Sequence, residues 1–280
     1  MTDTIDTDSL VLREVKDGVA VLSFNRPDRA NSYSVSMEIE YYRKLDECEA
    51  DPEVRVIIVT GRGKTFCPGM DSDTLSSQAN EGGASTNPHK RVPVTYPRNI
   101  RKPVIAAING ACAGIGLIVA MNCDLRFTTT RAKITTSFSQ RGIMAEHGLA
   151  WILPRVLGPS KALDLLFTSR IVRGEEALRL GLVDRVFEAD TFMDETIEFA
   201  RNLAKLSSPV AMGIIKQQVY EALDSTQEEA RVMAIRWWYD TLRGHSDFRE
   251  GINSFLEKRE PDFSPWDPET HRAPAPLPAD

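Results

Sequence analysis

Two stretches of this sequence place glycine among small apolar residues in a way that lets the backbone itself do chemistry. The first is Phe66-Cys67-Pro68-Gly69-Met70-Asp71, and the second is Asn109-Gly110-Ala111-Cys112-Ala113-Gly114-Ile115-Gly116. Each follows a run that reads as a strand and precedes one that reads as a helix. Amides at such a junction have no intrahelical partner and point outward. The start of a helix also carries partial positive charge. Two such groups, if they converge, make an oxyanion hole, in which each donor is worth about 3 kcal/mol of transition-state stabilisation. Taken one at a time, each stretch is equally an ordinary tight turn.

Other motifs fail on spacing. Gly61-Arg62-Gly63-Lys64-Thr65 has the end of a phosphate-binding loop, but Ile58 stands where its first glycine is required. Gly114-Ile115-Gly116 begins a dinucleotide fingerprint, yet the third glycine position falls on Val119 or Ala120. There is no Gly-x-Ser-x-Gly nucleophile elbow. The histidines, at positions 89, 147, 245 and 271, show no ligand spacing, so no metal site is expected.

The elements that position these junctions are readable from periodicity. Leu10–Val15 and Gly18–Phe24 predict a hairpin. Ser34–Ala50 predicts a helix with Met37, Tyr41, Leu45 and Cys48 on one stripe. Strands are expected over 55–60, 104–108, 124–128 and 182–187, and helices near 114–121, 144–157, 159–168 and 175–181. Residues 76–96, rich in Ser, Asn, Gly and Pro, read as a long loop. Beyond 187 only helices are expected, over 191–206, 209–223, 227–242 and 247–258. Six prolines after Glu260 exclude regular structure there, leaving an arm or a disordered tail. The order predicts an α/β core followed by a helical C-terminal subdomain.

The totals bound the function. A net charge of −6 argues against wholesale binding of nucleic acid or an anionic membrane. Cys48, Cys67, Cys112 and Cys123 form no C-x-x-C pair, and the polar, acidic residues 1–9 do not read as a targeting helix. Reduced thiols in the cytoplasm are the expectation. The longest apolar stretch, 114–121, is too short to span a bilayer.

With the two junctions in view, a longer pattern becomes specific. Asn25-Arg26-Pro27, Arg29-Ala30-Asn31-Ser32, Val59-Thr60-Gly61 and the Phe66–Asp71 stretch occur in that order. They are followed by Lys102–Gly110, Cys123-Asp124, Leu153-Pro154-Arg155, Gly158 and the run from Ala177 through Gly181-Leu182-Val183. Over about residues 10–260 this order resembles the enoyl-CoA hydratase/isomerase, or crotonase, superfamily. The resemblance implies an α/β fold: a spiral of ββα turns with a helical C-terminal subdomain, divided as a core over 1–200, an oligomerisation region over 201–260 and a Pro-rich tail over 261–280. It implies an acyl-CoA substrate, with coenzyme A as part of that substrate and no bound cofactor, in a homotrimer or hexamer. It places the oxyanion-hole amides at Met70 and Ile115. It also assigns substrate or CoA contacts to Arg29, Pro68, Asp71, Ala113, Phe138 and Gly142, although Arg29 could equally be a solvated turn residue.

Hydratases of this family use two glutamates to activate water. Their positions fall here on Ile118 and Phe138, both apolar. A nearby carboxylate is Glu146, and Phe138-Ser139-Gln140-Arg141-Gly142 followed by Glu146 and Pro154 resembles the peroxisomal-type Δ3,Δ2-enoyl-CoA isomerases, in which a glutamate at this offset is the base. The implied activity is therefore an isomerase of fatty-acid metabolism with Glu146 as proton shuttle. An apolar pocket of Ile143, Met144, Leu149 and Trp151 is expected around it, which would raise its pKa. The alternatives are a hydratase of the same family and a non-catalytic acyl-CoA-binding protein. Glu146 is also readable as an acid at a helix N-terminus, and Trp237-Trp238 as core or oligomer interface.

Overall fold

The computed structural model describes residues 9–81 and 93–268. Strands β1 (Val11–Lys16) and β2 (Val19–Phe24) form the expected hairpin. Asp17 and Gly18 make its two-residue turn, both at positive φ, the geometry that closes such a turn without splaying the strands. Helix α1 (Val35–Ala50) then starts on Ser34, whose Oγ accepts from the Met37 amide at 3.2 Å.

From there the chain repeats one move. A strand joins a large sheet, a short strand joins a small sheet, and a helix returns. The first turn is β3 (Val56–Gly61), β4 (Thr65–Cys67) and α2 (Ser72–Glu81). The second is β5 (Val104–Ile108), β6 (Ala111–Ala113) and α3 (Ile115–Met121). The third is β7 (Leu125–Thr129) and β8 (Lys133–Thr135), followed by α4 (Leu149–Leu157) and α5 (Pro159–Thr168). Then β9 (Val172–Arg173), α6 (Gly174–Leu180) and β10 (Arg185–Phe187) close the series. The large sheet runs β1-β2-β3-β5-β7-β10 and the small one β4-β6-β8-β9. Beyond β1 the large sheet is parallel. This is the predicted spiral of ββα turns.

The large sheet is covered on both faces, which is why its strands read as continuous apolar runs. In β3, Ile57 and Val59 share a core with Met37, Tyr41 and Leu45 of α1. Val56 and Ile58 face the other way, with Phe192, Ala200 and Ala204 of α7 (Phe192–Leu206). Helix α7 thus runs through residue 200 while packed on the core. The helical part continues with α8 (Pro209–Ala222), α9 (Gln227–Trp237), a wide turn over Trp238–Leu242, and α10 (Ser246–Glu257). Trp237 is buried, whereas Trp238 is partly exposed against the Phe248 ring.

Three expectations change. Residues 76–81, expected as loop, belong to helix α2, which Asp71 caps; of the rest of that expected loop, 82–92 lie outside the described residues and 93–95 are irregular, with a 3-10 turn starting at Tyr96. The helix expected from Met144 begins only at Leu149, because His147 and Gly148 take left-handed conformations that no right-handed helix contains. The segment after Glu260 is irregular but packed: Phe263 and Trp266 are buried, and Arg55 donates to the Phe263 carbonyl at 2.7 Å. Positions 269–280 lie outside the described residues.

Candidate active site

The two glycine junctions come together because β4 and β6 are parallel neighbours, with Cys67 opposite Cys112. Both chains leave the small sheet at the same end. Gly69 (φ 131°) and Gly114 (φ 52°) make the exits, in conformations that favour glycine. A Cβ added to Gly114 would be in van der Waals range of the Gly69 Cα, at 3.9 Å, so the two backbones lie about one methyl group apart. Gly116 has a harder constraint: a Cβ there would lie 2.1 Å from the Cys67 carbonyl oxygen. Helix α3 therefore seats directly on the backbone of β4.

The flanking amides are employed elsewhere. Tyr33 donates to Gly69 O at 2.8 Å, and Asp71 donates to Tyr33 O at 2.9 Å, leaving the Met70 amide outside this bridge. Ile115 is the first residue of α3, and its amide precedes the first intrahelical bond, from Ile118 to Gly114 O. Two backbone donors on adjacent loops suit an oxygen that gains negative charge.

The first junction is braced from below. The Asp71 carboxylate accepts from the Asp73 amide at 3.1 Å and pairs with Arg26 at 2.8 Å. The α2 amide first, and Arg26 second, hold its pKa below the usual carboxylate value against the opposing effect of burial. Asn31, fully buried at φ 60°, donates to the carbonyls of Arg62 (2.9 Å) and Thr65 (2.6 Å) and accepts from the Arg26 amide. Asn109 braces the second junction, donating to Gly61 O at 2.8 Å and Gly63 O at 3.0 Å. Sequence reasoning quoted Arg26, Asn31 and Asn109 within motifs but assigned them no task. Their signal is a side-chain amide or guanidinium beside each glycine turn, and the partners are 31 or more residues away for most of these bonds.

The mechanical demands at these turns and the ordered ββα spiral match a known group. The sequence fits the enoyl-CoA hydratase/isomerase family over residues 14–265. The chain belongs to that family. It is 32% identical over 259 residues to the 1,2-epoxyphenylacetyl-CoA isomerase of Escherichia coli K12, covering 91% of this chain and 98% of that protein. It is 32% identical over 254 residues to the (E)-benzylidenesuccinyl-CoA hydratase of Thauera aromatica, covering 90% and 98%. A probable enoyl-CoA hydratase/isomerase from Mycobacterium abscessus superimposes with a TM-score of 0.83 at 27% identity, over 91% of this chain and 99% of that one. The protein is therefore an enzyme of the crotonase superfamily.

Within this enoyl-CoA hydratase/isomerase family site, the remaining positions separate. Ile118, where the resemblance expects the first hydratase carboxylate, is buried in α3. Phe138, where it expects the second, is buried in the same core as Ile115 and ends in a 3-10 turn, Ser139–Arg141, closed by left-handed Gly142. Pro68 and Ala113 are half-buried on the junctions, and Arg29 is exposed on the turn Pro27–Arg29. Asp71 turns its carboxylate inward to α2 and Arg26, next to Met70 in the chain. Glu146 sits between Gly142 and Gly148, exposed to solvent. The apolar pocket expected around it is incomplete in this chain: Leu149 is buried and Ile143 and Trp151 are half-buried, but Met144 is 80% exposed. Ile143 and Ala145 pack against the core, while Met144 and Glu146 turn to solvent. Cys67 and Cys112 lie inside the small sheet, and burial pushes the Cys67 thiol up to about 12, so it is no nucleophile. Among the described residues no cluster of His, Cys, Asp and Glu could hold a metal ion, and no helix is long and apolar enough to cross a membrane.

Proposed function

We propose that the enzyme is a Δ3,Δ2-enoyl-CoA isomerase that stabilises a thioester enolate between the Met70 and Ile115 amides, with Glu146 as proton shuttle. The observation that carries this reading is the close approach of the two glycine junctions, together with core side chains at the positions where the family resemblance expects the hydratase carboxylates. Glu146 takes a proton from C2 of a 3-enoyl thioester, and the electron pair moves onto the thioester oxygen. The enolate collapses, the same carboxyl returns the proton at C4, and the double bond ends at C2–C3. One carboxyl group suffices, and no water is consumed.

In this reading coenzyme A arrives with the substrate. Arg29 offers an exposed cation to its phosphates, and Pro68, Ala113, Phe138 and Gly142 border the acyl thioester. Asp71 holds the first donor in place. The proposal includes a cytoplasmic homotrimer or hexamer acting in fatty-acid metabolism; the exposed Phe255 and Leu256 of α10 support a partner surface. The exposure of Glu146 supports a second reading, a hydratase whose water is held by other groups, which a relative named as a hydratase also favours.

The test is turnover of a 3-enoyl-CoA and a 2-enoyl-CoA side by side, by wild type and Glu146→Gln. Conversion of the 3-enoyl substrate that disappears in the variant supports the isomerase. Hydration of the 2-enoyl substrate that survives the substitution removes Glu146 from the mechanism.

A further inference from the structure

A cavity of about 490 Å³ opens between α4, α8 and the end of α7. Its wall shares no residue with the two glycine junctions or with the 142–148 segment. Its size lies within the range of roughly 300–1,000 Å³ typical of small-molecule pockets. The wall is mostly apolar, with Met121 and Ile152 on one side and Leu203, Ile215, Val219 and Leu223 on the other. Ile215, Val219 and Leu223 recur every fourth residue along α8 and stand open to solvent.

The charges in this wall do not balance. Asp124 pairs with Lys216 at 2.8 Å and accepts from the Tyr220 hydroxyl at 2.9 Å. Arg126 pairs with Asp184 at 3.2 Å. Arg98 and Arg155 remain, and neither has a carboxylate partner among the described residues. Both guanidinium groups lie over the Trp151 ring, at 5.0 and 3.9 Å from its centroid, and Arg98 also lies 5.1 Å from that of Tyr220. The Arg98 Nε is buried without a hydrogen-bond acceptor. Burial lowers the Arg98 pKa, and the opposing effects of Tyr220, Asp124 and Asp224 do not fully offset it. The Nε is enclosed, so it is the outer guanidinium nitrogens that border the cavity, and a guanidinium without an ion pair at the edge of an apolar cavity is matched by an anionic oxygen attached to an apolar body.

We propose that this cavity is a second ligand site of the enzyme, binding a free monocarboxylate with an apolar chain, its carboxylate on Arg98 and its chain along α8. The site is separate from the thioester site and does not depend on the isomerase assignment.

Isothermal titration with decanoate tests it. Saturable binding is expected in wild type, weakened about tenfold or more in Arg98→Gln, as loss of one charge-assisted bond requires. Decan-1-ol, with the chain but no charge, is expected to bind at least about tenfold more weakly than decanoate on the same grounds. Ile215→Trp fills the cavity from the α8 side; it abolishes decanoate binding while turnover of an enoyl-CoA is kept. The proposal is overturned by absence of saturable binding, by equal affinity in Arg98→Gln or Ile215→Trp, or by competition between decanoate and an acyl-CoA, which would put decanoate in the thioester site. Absence of binding with Trp151 shielded from an aqueous quencher would give this face to a second copy of the chain.

Discussion

The two glycine junctions and the segment carrying Glu146 contribute to the same proposed reaction but are built in opposite ways. At the junctions almost every atom is committed. Asn31, Asn109 and the Arg26–Asp71 pair tie the turns to distant carbonyls and amides, and Gly116 leaves no room for a methyl group. Between Gly142 and Gly148 the chain is open, with Met144 and Glu146 exposed and space beside both glycines. The difference teaches how one fold can serve both isomerases and hydratases. The oxyanion donors are backbone groups, so they are set by packing that the fold needs in any case. The proposed base is an exposed side chain on a connecting segment, and such a side chain can be replaced at little structural cost.

The sharpest way to break this comparison is Glu146→Gln. Isomerisation is expected to fall about 10²–10⁴-fold, the usual loss on removing a general base. The denaturation midpoint should stay within about 0.5 kcal/mol of wild type, as for an exposed site. A large loss of stability would show that the segment is built into the core after all.

Gly116→Ala addresses the other side. Its Cβ would meet the Cys67 carbonyl, so α3 must lift off β4, at a cost toward the upper end of the roughly 1–3 kcal/mol of overpacking. Urea denaturation measures this, and turnover should fall as well because the Ile115 amide shifts. A variant as stable and active as wild type would mean that the contact is easily relieved.

Asp71→Asn gives a smaller effect with a pH signature. The folded protein lowers the Asp71 pKa, so its contribution is present above the ordinary carboxylate value of about 4 and is lost as pH falls through the lower folded value. At neutral pH the substitution should cost about 1–3 kcal/mol, from the lost charge facing Arg26 rather than from the helix cap, which Asn also makes. Below about pH 4 the difference between variant and wild type should shrink. A constant difference down to pH 2 would show that the charge is not what braces the turn.

Met144→Ser is the mildest probe. On a side chain 80% exposed it should change stability by less than about 0.5 kcal/mol in the isolated chain. A larger loss in the assembled protein would mean that a partner copy covers the Glu146 segment.

Much of the fold was legible in sequence, and for local reasons. The Lys16-Asp17-Gly18 hairpin, the α1 stripe and the apolar runs of β3 and β5 follow from turn chemistry and periodicity. The start of α4 was not legible, because Ala145-Glu146-His147 is compatible with helix until the chain places His147 at φ 50°. Nor was the packed tail: Pro261, Pro265 and Pro268 exclude helix, but nothing local says that Trp266 will stack on Arg101 and Lys102. The donors Met70 and Ile115 were placed by family resemblance, whereas the braces Asn31 and Asn109 needed the partners that folding brings to them.

By itself the sequence determined the family, the order of the ββα turns, and the expectation that Ile118 and Phe138 stand where hydratases carry carboxylates. Residue type and local spacing carry that information. Only the tertiary structure decided that the two junctions lie side by side, that Asp71 points inward to Arg26, and that Glu146 stands in solvent. Those facts depend on parallel strands separated by more than forty residues and on left-handed turns whose conformation is chosen by packing.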